Sequence, residues 1–391
     1  MQLPIVVPAP LVTAHAGVFR DLFENRCQFR HFQNYLTGLM VLSNKSMANI
    51  VRCVLNSADK TNLSRFFSES PWFQSQVNDR RLRYLLQQTK AVRLPKAQSA
   101  LVLDDTLCEH VGSLFEYIDR HYNHGDDTYP LAHNPVTSHY VSGPVRFPVD
   151  LRLYRRYEEM TRWEEFVAVL QRRKKDWISI LKKNRNLETN SFVLKDAAGK
   201  RIPLDGPHIG VEDLVPLIPA TAYRPVKVGD TTYWTFTLTV RIPDLGKVRI
   251  VISFENAELT GTYAVLVTNR VDWTAQRIIA TYLQRWPIET FYQDGKGQLG
   301  LDEYRMRDAE AIQKHWCLVF VAYSLLHLDC LPPSLTKSRL PIKTIGEACR
   351  QQGQALIEAL IMQMHEQLQQ GQKAQDVFTQ LFAKQQTMAI A

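Results

Sequence analysis

Four side chains in the last third of the sequence are of types that bind phosphate groups or ligate metal ions. Tyr282, Arg285, Glu289 and Lys296 occur in the string YLQRWPIETFYQDGK. A guanidinium forms two parallel hydrogen bonds to a phosphate, an ammonium supplies a point charge, and a carboxylate is an oxygen ligand for Mg²⁺ or Mn²⁺. Together these side chains would suit chemistry on a phosphodiester.

Each of these residues also has an ordinary structural role. A Glu in the first turn of a helix complements the helix dipole, and an Arg beside an acid usually forms a surface ion pair.

Two helices must position these four residues. Thr274 predicts the start of the first, and Pro287 suits the first position of the second, so a break is expected between Arg285 and Pro287. The first helix would carry Tyr282 and Arg285 on one face, and the second Glu289, Tyr292 and Lys296.

A further pair of acids ends an apolar run of strand length, ALVLDD, at Asp104 and Asp105. No helical period continues through this run, so a new domain is predicted from Ser99 onward. Residues 20–95 before it have helical periodicity and form a module that would either contact DNA or present a solvated basic face. Its cations are Arg52, Arg65, Arg80, Arg81, Arg83, Lys90 and Arg93.

Paired strands are predicted over residues 135–154 and throughout residues 190–270, where Pro243–Gly246 has the composition of a hairpin turn. A short strand, Trp177 to Leu181, lies between two basic clusters that would be either a solvated surface or phosphate contacts. These clusters are Arg172, Arg173, Lys174, Lys175, Lys182, Lys183 and Arg185. A final amphipathic helix is predicted from about Ile345 to Gln369.

The spacing Y-x2-R-x3-E-x6-K resembles the signature of insertion-sequence transposases of the DDE class, and the order of elements agrees over roughly residues 25–330. The resemblance implies an α/β fold with a ribonuclease-H-like mixed sheet flanked by helices. The expected domains are a helical, DNA-binding module (1–98), a catalytic core (99–189 and 266–330), an inserted antiparallel β module (190–265), and a C-terminal helix and tail (331–391).

The resemblance also implies roles for individual residues. Asp105, with Asp104 as its close rival, and Glu289 would ligate Mg²⁺ or Mn²⁺, as a two-metal site if the acid triad is complete. Tyr282, Arg285 and Lys296 would hold a phosphate at the transposon end. Trp286 would either stack on an extruded base or be a buried aromatic. The implied partners are double-stranded DNA, both transposon ends and target, and a second copy of the chain.

The sequence departs from the family at the second aspartate, which normally ends a strand after the hairpin strands. No V-x-x-D-x-W/Y stretch occurs between Val149 and Trp177, and the join at Phe166–Val169 has the pattern of an internal shortening. The nearby Asp150 and Asp176 do not match the family position. Two functions therefore remain: a transposase, active or impaired, and a non-catalytic protein that binds transposon ends and represses transposition. A third, another nuclease with the same core, would not explain the four signature residues.

Composition argues against several other classes of protein. Lys and Arg number 47 against 39 Asp and Glu, and the net charge of +8 favours polyanions such as nucleic acid. The six cysteines include no CxxC pair, which argues against a zinc site or a disulfide framework and predicts a cytoplasmic protein. Association with the nucleoid is implied by the family resemblance. The longest apolar stretch, Trp316 to Leu328, is shorter than the roughly 20 residues of a membrane span and predicts a core helix. The sequence has no Walker-type glycine loop, so no nucleotide cofactor is predicted.

Overall fold

The computed structural model describes residues 3–55, 57, 59–123, 125–153, 163–332 and 342–386. Its helices are α1 (Pro10–His15), α2 (Arg26–Val41), α3 (Met47–Cys53), α4 (Lys60–Ser68), α5 (Gln74–Gln88), α6 (Trp163–Arg172), α7 (Val211–Leu214), α8 (Ala275–Tyr282), α9 (Trp286–Leu299), α10 (Ala309–Asp329), α11 (Ile345–Gln369) and α12 (Ala374–Gln386). Its strands are β1 (Ala100–Asp105), β2 (Cys108–Glu109), β3 (Asp119–Arg120), β4 (Leu131–His133), β5 (Pro135–Ser142), β6 (Val145–Leu153), β7 (Ile178–Ile180), β8 (Asn186–Glu188), β9 (His208–Gly210), β10 (Arg224–Val228), β11 (Thr231–Ile242), β12 (Gly246–Phe254) and β13 (Tyr263–Thr268). The chain divides into two compact units, residues 1–154 with 286–391 and residues 155–285.

The first unit is built around α10, which is buried along nearly its whole length. A helix that is apolar on all sides requires neighbours on all sides. Helices α2, α4, α5 and α11 pack against it, and so does β6. The apolar run from Trp316 to Leu328 is thus a core helix, as predicted. The N-terminal helices consequently belong to the same hydrophobic core as the sheet that follows them.

The first unit also contains a three-stranded antiparallel sheet in the order β1-β5-β6. Within the described residues β1 is therefore an edge strand. Its side chains alternate in exposure, because Val102 is buried whereas Leu101 is 60% and Leu103 46% exposed. One face of β1 is covered by the core, and the other face presents two leucines to solvent.

The second unit is mainly a five-stranded antiparallel sheet in the order β10-β11-β12-β13-β7. The β11–β12 hairpin turns where the composition predicts it, with Asp244 at φ 66° and Gly246 at φ 75°. Strand β12 is covered on both faces: Ile250 and Ile252 belong to one hydrophobic cluster, and Val251 to another that includes Ile278 of α8. This burial explains why β12 has an apolar run rather than an alternating pattern.

The predicted α/β fold class, with a helical N-terminal part and an antiparallel β module, is confirmed. Across the described ranges, none of the helices combines the length and apolar character that crossing a bilayer requires.

Burial of His315 in α10 predicts a loss of stability in acid. Its Nδ1 lies 2.8 Å from the Tyr35 hydroxyl and its Nε2 lies 3.0 Å from the Gly300 carbonyl. Since a carbonyl only accepts, Nε2 carries the proton and Nδ1 accepts from Tyr35. Burial lowers the pKa of His315 from 6.5 to about 4. The unfolded chain therefore binds a proton first as the pH falls, and the stabilising contribution present above 6.5 is lost between pH 6.5 and 4.

At pH 5 this contribution should have fallen by about 2 kcal/mol relative to pH 7, at about 1.4 kcal/mol per pH unit. Urea unfolding at both pH values measures it. His315→Gln should show a pH-dependent loss smaller by that amount, and His365→Gln, at an exposed position of α11, serves as the matched control. An equal acid loss in all three chains would contradict the assignment.

Candidate functional site

The predicted break between two helices falls inside the signature, after Tyr282 and before Glu289. The Thr274 side chain accepts from the Arg277 amide and starts α8, which ends at Tyr282. One 3-10 turn, Leu283–Arg285, leads to α9, which starts at Trp286. Tyr282 and Arg285 consequently belong to the second unit, whereas Glu289 and Lys296 belong to the first. Arg285 lies 5.7 Å from the centre of the Tyr282 ring.

Helix α9 contacts the acidic end of β1 through two side chains. The Tyr292 hydroxyl donates to the Asp104 carbonyl over 2.8 Å, and the Lys296 ammonium donates to the Leu107 carbonyl over 2.6 Å. Glu289 is half-buried and lies one turn before Tyr292 on the same helix. The structure therefore places α9, the helix that carries Glu289, against the end of β1 that carries Asp104 and Asp105.

Strand alternation distinguishes the two aspartates. Asp104 is opposite Thr137, which is fully buried, and Asp105 is opposite the half-buried Val136. Directly opposed residues of an antiparallel pair lie on the same face. The face of Thr137 is the one that α9 covers, since the next residue on it, His139, packs its ring 5.5 Å from that of Phe291. Asp104 is thus on the side of α9, and the exposed Asp105 is on the opposite side.

The described residues do not fit a two-metal site. Two divalent ions about 3.5–4 Å apart require several carboxylates that share them. Throughout the described part of the chain, no three His, Cys, Asp or Glu side chains are grouped so that they could hold a metal ion. Residues 154–162, within the stretch where the family's second aspartate is expected, lie outside that part.

The two aspartates nearest to the missing position have other partners. Asp150 lies on β6, with β5 between it and β1, and it pairs with Arg152 at 3.0 Å. Asp176 precedes β7 in the second unit and pairs with Arg270 at 3.0 Å. Each carboxylate therefore already has a cation at hydrogen-bonding distance. The predicted join at Phe166–Val169 lies inside α6, which is continuous from Trp163 to Arg172.

Trp286 is 68% exposed, which makes it one of the most exposed large apolar side chains among the described residues. The alternative of a buried aromatic is therefore wrong. Exposure of an indole is costly unless a partner covers it, because most of its surface is apolar. Its sequence neighbour Arg285 is half-buried.

The basic run surrounds a strand, as the sequence predicts. Helix α6 ends at Arg172, strand β7 covers Ile178–Ile180, and Lys174 adopts a left-handed backbone with φ 52° at the turn between them. Arg185 is half-buried, and Lys183 lies 4.1 Å from the centre of the Tyr263 ring. The exposed cations of the run are Arg172, Arg173, Lys174, Lys175, Lys182 and Lys183.

Several cations of the N-terminal helices are bonded within the protein. Arg80 pairs with Asp21 at 2.7 Å, Arg65 pairs with Glu69 at 3.6 Å, and Arg52 donates to Asn49. Arg81 is almost fully buried at 1% exposure. Exposed cations on this module include Arg83 and Lys90.

Tyr292 is the residue of this site whose role the sequence did not reveal. It is 8% exposed, and burial raises the pKa of its hydroxyl above the usual range, with the nearby Asp104 and Asp105 adding to the effect. The hydroxyl thus stays protonated and donates. Its spacing of three from Glu289 and four from Lys296 was a signal that places all three on one face, although spacing alone does not identify the acceptor.

Comparison with known families matches two models. Residues 158–325 match the transposase DDE domain, and residues 18–186 match the DDE superfamily endonuclease. The superfamily has a ribonuclease-H-like fold, which agrees with the predicted fold class. No curated protein matches the chain.

Proposed function

We propose that this chain, which matches the models of the transposase DDE domain and of the DDE superfamily endonuclease, binds transposon-end DNA while cutting it very slowly or not at all. The observation that carries this proposal is the position of β1. The strand with Asp104 and Asp105 is an edge strand of its sheet, and no third ligand joins a group there within the described residues. Loss of the family's strand with the second aspartate, which the sequence predicts between Val149 and Trp177, would explain both features.

The incomplete set of acidic ligands is also expected to limit metal binding. Enzymes of the superfamily use divalent metal ions, and Mg²⁺ or Mn²⁺ would be the preferred ions for carboxylate ligands. Asp104 and Glu289, with Asp105 as the rival of Asp104, supply too few ligands to neutralise the mutual repulsion of two ions. We therefore expect at most one bound ion.

The proposed DNA contacts are of two kinds. The exposed cations around β7, together with Arg185, neutralise phosphates of any sequence. Tyr282 and Arg285 bind a phosphate at the transposon end, Lys296 contributes a further phosphate contact, and Trp286 stacks on an exposed base, which its high exposure supports. A protein that occupies the ends without cutting them competes with an active transposase and represses transposition. Binding as a homodimer, and a cytoplasmic location at the nucleoid, remain predictions.

Duplex DNA affinity should fall steeply as salt rises, because bound phosphates release counterions. Each phosphate that the protein neutralises contributes about 0.9 to the slope of log affinity against log salt. Replacing Lys174, Lys175, Lys182 and Lys183 by Ala should flatten the slope by up to roughly that amount for each phosphate that is no longer neutralised. The charge-matched control replaces four exposed cations of the same unit, Lys195, Lys200, Arg201 and Lys247. Binding measured by fluorescence anisotropy at several salt concentrations tests this, and equal slopes for the two variants would contradict the proposed surface.

Arg285→Ala should weaken binding to the cleaved end of the element more than binding to random duplex. The loss of a bidentate phosphate interaction should cost about 1.5–3 kcal/mol, or roughly tenfold or more in affinity, on the specific DNA only. Arg277→Ala is the matched control, because Arg277 is exposed on α8 and lies 4.0 Å from the centre of the Trp273 ring. Equal losses on both DNAs would assign Arg285 to general electrostatics.

A further inference from the structure

Helix α9 fixes the acidic turn after β1 at two points. The Tyr292 hydroxyl binds the carbonyl of Asp104, and one turn further along the helix the Lys296 ammonium binds the carbonyl of Leu107. Both donors lie on the face of α9 that includes Glu289. Tyr292 is buried and Lys296 is half-buried.

The main chain restrains the same turn from its other side. The Thr106 amide donates to the Pro135 carbonyl over 3.3 Å, and Asp105 is in register with Val136 of β5. Residues 104–107 are consequently restrained by β5 and by two side chains of α9. One of these interactions fixes the carbonyl of Asp104, and the restrained backbone sets the direction of the Asp104 Cα–Cβ bond. The carboxylate on that bond accepts at Oδ1 from the Asp105 amide over 3.2 Å.

We propose that Tyr292 and Lys296 are positioning residues that hold the Asp104 carboxylate on the side of α9 that carries Glu289. This inference rests on the proposed function only for the importance of Asp104. It assigns Lys296 a role besides phosphate binding, since an ammonium has three donors and one of them is used by Leu107. Tyr292 has no part in DNA binding on this assignment.

Hydrogen exchange of the full chain, followed by mass spectrometry of the peptides that cover residues 103–109, tests the proposal. Tyr292→Phe removes only the hydroxyl, and Lys296→Met removes the ammonium at similar length. Each should accelerate exchange in this segment about tenfold, the effect of losing one hydrogen bond on local opening, while peptides from α10 keep their protection. Lys296→Arg should restore slow exchange, because a guanidinium also donates to the Leu107 carbonyl. Lys182→Met, an exposed cation of the basic run, should leave the segment unchanged.

Binding of duplex DNA by the same variants separates this proposal from the proposed function. Tyr292→Phe should keep the unaltered affinity and salt slope. If Lys296 did no more than bind a phosphate, Lys296→Met would lower the slope by about 0.9 without faster exchange at residues 103–109, and that result would overturn the positioning role. Failure of every variant to bind DNA would refute the proposed function and leave the exchange result standing.

Discussion

A chain with an extended segment of about six residues ending in Asp, inserted between Phe166 and Val169, should cleave labelled transposon ends in Mg²⁺ or Mn²⁺, whereas the natural chain should not. The physical reason is the incomplete acid set beside an open sheet edge. Strand β1 pairs with β5 only, within the described residues, and Leu101 and Leu103 stay exposed on it. An added strand would pair with the N–H and C=O groups of that edge and bring a third carboxylate to the acids.

Phe166 and Val169 lie in the middle of α6, so the insertion would divide this helix into two shorter helices joined by the added strand. We expect a rise in cleavage rate of roughly 10⁴-fold, comparable to the effect of an aspartate in another catalytic constellation that acts as a unit. The same insertion with Asn in place of Asp is the matched control, because it restores the strand without the acid.

Variants of the restored chain test the assignment of the remaining acids. Asp104→Ala and Glu289→Ala should abolish cleavage, whereas Asp105→Ala should retain most of it, because Asp105 lies on the face of β1 away from α9. Robust metal-dependent cutting by the natural chain, abolished in Glu289→Ala, would show that another acid completes the site. Asp150 and Asp176 would then be the first candidates, despite their ion pairs with Arg152 and Arg270.

The choice between the two aspartates shows where sequence patterns stop being informative. The run ALVLDD predicted β1 correctly, and Thr274 and Pro287 predicted the helices around the signature. Both faces of β1 carry apolar residues, however, since Leu101 and Leu103 alternate with Val102. Alternation therefore gave no sign of which face is covered, and the register with Thr137 of β5 was needed to place Asp104 on the side of α9.

The sequence also could not predict which charged residues are buried. The N-terminal helices were correctly predicted, but a helical pattern does not say whether a cation meets solvent or a buried acceptor. Arg81 and Arg83 are two residues apart on α5, and one is buried while the other is exposed. The difference depends on residues more than 60 positions away, Val149 and Ser324, which provide acceptors for Arg81.

Arg81→Met should therefore lower the free energy of unfolding by about 3 kcal/mol. The Arg81 guanidinium donates from Nε and Nη2 to Asn78 Oδ1 over 3.1 and 2.6 Å, and from Nη1 to Ser324 Oγ over 2.8 Å. Burial lowers its pKa to about 10, so the group is charged at neutral pH. Methionine keeps most of the packing against Phe320, but it leaves buried acceptors without a donor, and each such group costs about 1–3 kcal/mol.

Urea unfolding of Arg81→Met, with Arg83→Met as the matched control on the same helix, measures this effect. The control should stay within about 0.5 kcal/mol of the natural chain, because its side chain is exposed.

Duplex DNA binding by the two folded variants then tests the predicted role of the helical module. If the module contacts DNA, Arg83→Met should lower the salt slope by about 0.9 and Arg81→Met should not. A stable Arg81→Met chain that loses DNA affinity would show instead that this arginine is available to phosphate.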